Sequence, residues 1–163
     1  MGTTKNTQKT AKAELDQKLK LARPTRQILE DLAIACAKSP SEDNTFQYAF
    51  CLSKSSERSE LRYAIQILDG LVKEGYEHQV DCMYGSACAL YLLGEYDKAR
   101  FRAENILRSH PESRLAREIH LSSIEAIEQE DKKKIKEAAI GGVTVAAAVG
   151  VAAGIASLLL TKR

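Results

Sequence analysis

The chain has 163 residues with 24 basic and 22 acidic side chains, and its composition suits one globular domain of ordinary size. The charge is uneven, because residues 1–26 hold seven basic and two acidic side chains whereas residues 27–131 hold 11 basic and 19 acidic ones. A domain with this acidic excess lacks the basic surface that nucleic-acid binding requires, so we exclude that function.

The N-terminal segment, residues 1–26, is polar and basic and contains no apolar core. It therefore lacks the hydrophobic region of a secretory signal peptide. We interpret it as a flexible basic arm that precedes the folded domain.

Six helices are predicted after this arm, because apolar residues recur with a 3.6-residue period and strand patterns are nearly absent. In chain order the predicted ranges are 25–38, 45–55, 59–74, 78–93, 96–109 and a sixth from 112 onward. Pro40, Gly75, Gly94 and Pro111 lie at the breaks, where these residue types end helices.

The middle of the chain contains an internal repeat. A shift of 35 residues pairs Leu61 with Tyr96 and Ala64 with Ala99, which is close to the helix–turn–helix spacing of tetratricopeptide repeats. Two units leave both ends of a stack open, so we expect the first and sixth helices to cap an all-α six-helix bundle over residues 27–131. The residues expected to shape this packing are Tyr48, Leu52, Ala64, Gly94, Tyr96, Ala99 and Pro111.

The segment 138–160 contains 23 residues without a charged side chain. A helix of that length extends roughly 35 Å, enough to cross a hydrocarbon core of about 30 Å. A buried helix of a soluble domain is the alternative, but such a helix normally keeps a polar face. We therefore predict a transmembrane tail anchor, followed by a short basic end at 161–163, with the preceding domain in the cytosol.

Basic residues flank the predicted span, and residues 132–137 form a lysine-rich neck in front of it. We assign them to the membrane surface, with a merely solvated helix end as the alternative: Lys132, Lys133, Lys134, Lys136, Lys162 and Arg163. Small residues recur every four positions within the span, forming a ridge at Gly142, Ala146, Gly150 and Gly154. This ridge predicts packing against a second membrane helix and thus a homo-oligomer, whereas a role of low hydrophobicity in sorting is the alternative.

No catalytic or metal-binding pattern emerges from the sequence. The four cysteines include no CxxC pair, and the three histidines lie at no ligand spacing from them, so we reject a zinc site. There is no Gly-rich phosphate loop and no recognisable Ser/His/Asp set, so we expect neither an enzyme nor a cofactor.

A partner-binding groove is predicted on the concave face, which the first helix of each repeat unit lines. The residues placed there are Phe46, Ala49, Ser53, Asp81, Tyr84, Cys88 and Tyr91. This set is apolar and aromatic without Lys or Arg, so it suits a partner helix, or the protein's own arm, better than an acidic peptide. Burial of the same side chains beneath the first and sixth helices is the alternative.

The stretch from Asn44 to Leu52, NTFQYAFCL, resembles the F-x-Y-A-[WF]-C-L run of the mitochondrial and peroxisomal fission 1 protein family. The run from Glu95 to Ala99 and the order of arm, repeats, neck and span also agree. The resemblance implies a single-pass outer-membrane adaptor, with a cytosolic N-terminus, that helps recruit a dynamin-related GTPase or its adaptor proteins for mitochondrial and peroxisomal fission. The resemblance covers residues 27–163; the arm before them does not match, so the autoregulation linked to the family's arm does not carry over to it. Cys82 and Gly85 replace larger aromatic residues of the family, so we expect the groove to differ in detail.

Two other functions remain open at this point. The first is a tail-anchored tetratricopeptide receptor for import or chaperone docking. The second is a membrane-remodelling protein that acts through oligomerisation of its transmembrane helix.

Overall fold

The computed structural model describes residues 4–141, and this part of the chain is helical without a strand. Its seven helices are α1 (Lys5–Leu21), α2 (Arg26–Lys38), α3 (Glu42–Leu52), α4 (Arg58–Lys73), α5 (Gln79–Leu92), α6 (Tyr96–Ser109) and α7 (Arg114–Gly141). The chain divides into two compact units, Met1–Ala126 and Ile127–Arg163. The predicted all-α class is confirmed, with one helix more than the six predicted.

Hydroxyl side chains fix where the first three helices begin. Thr4, Thr25 and Ser41 each accept a hydrogen bond from the backbone N–H three residues later, at 3.3, 3.2 and 3.1 Å. Such a cap satisfies one of the free donors at a helix start and is worth about 1 kcal/mol. Because Ser41 is the cap, α3 starts at Glu42, three residues before the predicted start.

Helices α4 and α5 end in the same hydrogen-bonding motif, each with a glycine at positive φ. Gly75 has φ 83° and Gly94 has φ 79°, a region that side chains with a Cβ rarely adopt. After α4, the Tyr76 N–H donates to the Leu71 carbonyl at 3.0 Å and the Gly75 N–H donates to the Val72 carbonyl at 3.2 Å. The corresponding two hydrogen bonds form around Gly94 at the end of α5. Both turns between antiparallel helices are therefore Schellman motifs.

The two helix–turn–helix units, α3–α4 and α5–α6, pack through small and aliphatic residues. Ala64 and Ala99, paired by the repeat, are both 0% exposed, and Leu52 is buried in one apolar cluster with Ala64. Tyr48 and Tyr96 are half-buried, and Pro111 follows the end of α6. The residues expected to shape the packing therefore lie at helix contacts and turns.

Helix α5 approaches its neighbours closely at Gly85. A Cβ at this position would lie 2.8 Å from Leu68 Cδ1 of α4 and 3.1 Å from Phe50 Cδ2 of α3. These distances are shorter than ordinary van der Waals contact, so the absence of a side chain at Gly85 sets how near α3 and α4 lie. Leu68 and Phe50 fill the space beside the Gly85 backbone.

The N-terminal segment corrects the expectation of a flexible arm, because residues 5–21 form α1. Ala11, Leu15 and Leu19 stand four residues apart, on one helix face, and all three are buried, with Leu15 only 1% exposed. Lys5 also forms an ion pair with Glu125 at 2.6 Å. A narrow apolar stripe thus suffices to dock a helix whose composition is otherwise polar.

Most of the predicted membrane span lies outside the described residues. The ridge residues from Gly142 to Gly154 and the basic end at Lys162 and Arg163 all fall there. Between residues 4 and 141, no helix is long and apolar enough to cross a bilayer. In the second unit, the neck lysines of residues 132–136 are exposed on the last turns of α7.

Candidate functional site

A row of ring side chains lies along one face of α3 and at the start of α5. We call Phe46, Phe50, Tyr76, His78 and Tyr84 the aromatic row. The centroid of the Phe46 ring lies 5.3 Å from that of Phe50, 5.6 Å from that of Tyr76 and 6.0 Å from that of His78. The Phe50 and Tyr84 rings follow at 6.4 Å. These separations are those of favourable aromatic pairs, so the rings form one continuous apolar strip.

The predicted groove residues divide into accessible and inaccessible sets. Phe46 and Tyr84 are half-buried within the aromatic row, and Asp81 is exposed beside it. The inaccessible ones are at most 4% exposed: Ala49, Ser53, Cys88 and Tyr91.

One end of the aromatic row opens into an acidic pocket of about 300 Å³ lined by Asp43, Phe46, Tyr76, His78 and Asp81 together with Gln47 and Glu77. The Tyr76 hydroxyl donates to Asp43 Oδ1 at 2.6 Å. Burial and this hydrogen bond both raise the pKa of Tyr76, so the phenol stays a neutral donor. The acidic pocket thus combines ring faces with carboxylates.

Lys54, which was not among the predicted groove residues, lies at the other end of the aromatic row. Its ammonium stands 3.5 Å from the centroid of the Phe50 ring and donates to the Phe50 carbonyl at 3.2 Å. Burial lowers the pKa of Lys54, and the nearby Cys88 and Cys51 act in the opposite direction. The face therefore does carry a cation, contrary to the prediction. In the sequence, Lys54 follows Phe50 by four residues, and this spacing indicates that the two side chains share one helix face.

Helix α1 covers the end of the concave face near Tyr91. The Tyr91 hydroxyl donates to Asp16 Oδ1 at 2.7 Å, and Lys18 pairs with Glu118 of α7 at 2.6 Å. Burial and the Asp16 hydrogen bond raise the pKa of Tyr91. Burial also raises the pKa of the neighbouring Cys88 thiol to about 11, so this thiol stays protonated at neutral pH. The concave face thus has a half covered by α1 and an open half, which is the aromatic row.

Two stacked helix–turn–helix units with a concave aromatic face define a tetratricopeptide-like helical domain. No protein-family model matches the sequence. The mitochondrial fission 1 protein of Homo sapiens is 31% identical over 129 residues, covering 77% of this chain and 81% of that protein. The Debaryomyces hansenii protein of the same name is 29% identical over 136 residues, covering 83% and 84% respectively. The chain belongs to the mitochondrial fission 1 protein family, as the NTFQYAFCL stretch indicated.

Solved structures agree on the fold. Yeast Fis1 in complex with an Mdv1 fragment, containing the N-terminal extension and coiled coil domains, superposes with a TM-score of 0.63 at 24% identity. The match covers 69% of this chain and 94% of that one. Fis1 from Saccharomyces cerevisiae gives the same TM-score at 23% identity, covering 72% and 95%.

Proposed function

We propose that this chain is a non-enzymatic adaptor that promotes mitochondrial fission from the outer membrane, and fission of peroxisomes as well. In this proposal the C-terminal segment anchors the protein, and the helical domain faces the cytosol. The domain binds a partner that brings a dynamin-related GTPase to the membrane, either the GTPase itself or an intermediary adaptor. Membership of the fission 1 protein family supports this function.

The open half of the groove is the observation that carries the proposal. Phe46, Phe50 and Tyr84 present ring surface that neighbouring residues only half bury. An apolar concave strip of this kind suits the apolar face of an amphipathic helix. Yeast Fis1, which shares the fold, has been crystallised with a fragment of Mdv1, and we assign a partner of that kind to this strip.

Helix α1 has a regulatory role in the same proposal. Its contacts with Tyr91 and Glu118 occupy the covered half of the concave face. A partner that needs that half has to displace α1, which makes binding weaker than binding to an open groove. Oligomerisation through Gly142 to Gly154 remains a prediction, since those residues lie outside the described range.

The test is expression of the full chain, fluorescently tagged at its N-terminus, in cells that lack their own fission 1 protein. We expect the fusion on the mitochondrial surface and shorter mitochondria. The Phe46→Ala variant should keep the location and lose the shortening. Phe101→Ala is the matched control, because Phe101 is a 55% exposed aromatic residue on α6, outside the groove.

Two results would overturn the proposed function. One is a full chain that does not reach mitochondria or leaves their length unchanged. The other is a Phe46→Ala variant that shortens mitochondria as well as the Phe101→Ala control does, with equal helical content by circular dichroism.

A further inference from the structure

Lys54 is a half-buried cation that lacks an acidic partner within the described part of the chain. Its contacts are the Phe50 ring, the Phe50 carbonyl and the electrostatic influence of two thiols. Buried or partly buried charges in folded proteins are normally paired, because removal from water is costly. The ammonium of Lys54 is therefore suited to donate hydrogen bonds to a carboxylate that another molecule supplies.

The opposite end of the aromatic row has the opposite charge. Asp43 and Asp81 line the acidic pocket, where the faces of Phe46 and His78 stack at 6.0 Å. Carboxylates beside ring faces favour a lysine or arginine side chain, through ion pairing and cation–π attraction. The two ends of the row thus select side chains of opposite sign.

Both ends lie on the same face of α3. Asp43, Phe46, Phe50 and Lys54 are separated by three, four and four residues, which is the spacing of one helix stripe. The helical torsions of Ser53, φ −63° and ψ −6°, carry the stripe past the end of α3. Eleven residues at 1.5 Å each separate the Cα atoms of Asp43 and Lys54 by roughly 16 Å along the helix axis, about three helical turns.

We infer that the open half of the groove binds an amphipathic partner helix by its charge pattern: a carboxylate on Lys54 and, about three turns away, a basic side chain in the acidic pocket. Apolar side chains between these two charges pack on Phe46 and Phe50. The inference rests on the proposed function, since it describes how the partner of that function is recognised. The partner is a separate chain, because the polar anchors of α1 are already engaged with Tyr91 and with α7.

The inference excludes a uniformly acidic ligand. A peptide with carboxylates at both ends would place one beside Asp43 and Asp81, where like charges repel. It equally excludes a uniformly basic ligand, whose second cation would meet Lys54. The groove therefore selects the bipolar charge pattern and rejects both the uniformly acidic and the uniformly basic ligand.

The experiment compares two synthetic helical peptides on the full chain in lipid nanodiscs, with empty nanodiscs as the reference. Both peptides carry leucines on one face. The bipolar peptide has a lysine and a glutamate three turns apart on that face, and the dilysine peptide has lysine at both positions. We expect the wild-type chain to bind the bipolar peptide roughly tenfold more tightly at low salt.

The decisive variant is Lys54→Glu, which makes both ends of the aromatic row acidic. Its preference should invert, so that the dilysine peptide binds roughly tenfold more tightly than the bipolar one. This gain of binding also reports that the variant is folded. Lys54→Arg should retain the wild-type preference. Lys73→Glu, a charge reversal at an exposed lysine that ends α4, should retain it as well.

Three outcomes overturn the inference: equal binding of the two peptides to the wild-type chain, an unchanged preference in Lys54→Glu, or no binding of either peptide. If mitochondrial shortening persists in any of these cases, the charge pattern is refuted while the proposed function stands. If the peptide preferences hold while the full chain fails to shorten mitochondria, only the proposed function is refuted.

Discussion

Replacing Gly85 with alanine tests whether the close approach of α5 to its neighbours is set by the missing side chain. The new methyl group would lie 2.8 Å from Leu68 Cδ1 and 3.1 Å from Phe50 Cδ2. Leu68 is fully buried, so it has little room to move away. We expect the substitution to destabilise the domain and to displace the Phe50 ring at the centre of the aromatic row.

The magnitude follows from two opposing effects. Alanine in place of glycine inside a helix stabilises it by about 1 kcal/mol. Forcing an extra methyl group into a packed core costs about 1–3 kcal/mol. The net change at Gly85 therefore lies between zero and about 2 kcal/mol of destabilisation. Gly70→Ala in α4 isolates the first effect, because a Cβ there would meet nothing within 4 Å.

The assay is urea unfolding of the full chain in mild detergent, followed by circular dichroism. Gly70→Ala should unfold at higher urea than the wild type, and Gly85→Ala should unfold at lower urea than Gly70→Ala by about 1–3 kcal/mol in free energy. A Gly85→Ala variant as stable as Gly70→Ala would refute the packing argument. Adding Leu68→Val, which removes the clashing methyl group, should recover about 1 kcal/mol in a double-mutant cycle.

Three further predictions concern α1, an interhelical pair and a histidine. Leu15→Ala should weaken docking of α1 by about 2–4 kcal/mol and speed alkylation of Cys88, which is fully buried in the same apolar cluster. Asp69→Asn should cost about 1–2 kcal/mol in urea unfolding, because Asp69 accepts two hydrogen bonds of 2.7 Å from Arg102 on α6. Burial lowers the pKa of His120, so the unfolded chain binds a proton at this residue more readily than the folded chain does. The free energy of unfolding, measured in urea, should therefore fall as the pH drops below about 6.5. The His120→Gln variant should show a shallower dependence of this free energy on pH.

Each of these predictions has a control or a contrary result. Gln17→Ala, on the exposed side of α1, should leave the alkylation rate unchanged, and an equal acceleration by both variants would contradict the docking argument. Glu74→Gln, at the exposed end of α4, should leave the unfolding free energy within about 0.5 kcal/mol of the wild type. Identical pH slopes for the wild type and His120→Gln would assign the acid sensitivity to other groups.

The central helices were predictable because their apolar periods are strong and their ends are marked. Helix α6 runs from Tyr96 to Ser109, as predicted, between a turn glycine and a proline. Helices α4 and α5 differ from the predicted ranges by one residue at each end. Glycine at positive φ is a local requirement, so the sequence alone reveals it.

Helix α1 was missed because its burial depends on distant parts of the chain. The stripe of Ala11, Leu15 and Leu19 is visible in the sequence, but it covers three residues in an otherwise polar segment. Only the tertiary structure supplies the apolar surface of α5 and α7 that makes this stripe sufficient. Helices in proteins owe most of their stability to such packing, not to intrinsic propensity.

On α3, the accessible face differs by one residue from the face predicted for the groove. The sequence placed Ala49 and Ser53 on the face, whereas Phe50 and Lys54 lie there in the structure. Adjacent residues on a helix point about 100° apart, so this small error exchanges a core side chain for a surface one. A repeat alignment fixes which helix lines the groove without fixing its rotation.

The shallow apolar anchorage of α1 also sets how often the covered half becomes vacant. An element with few buried side chains opens before the rest of the domain does. With an opening free energy of about 4 kcal/mol, roughly 0.1% of molecules would leave Tyr91 accessible at any moment, and any competitor for that half would bind about a thousandfold more weakly than its intrinsic affinity. Substitutions in α1 would therefore adjust the occupancy of the site in graded steps, without altering a single residue that the competitor touches.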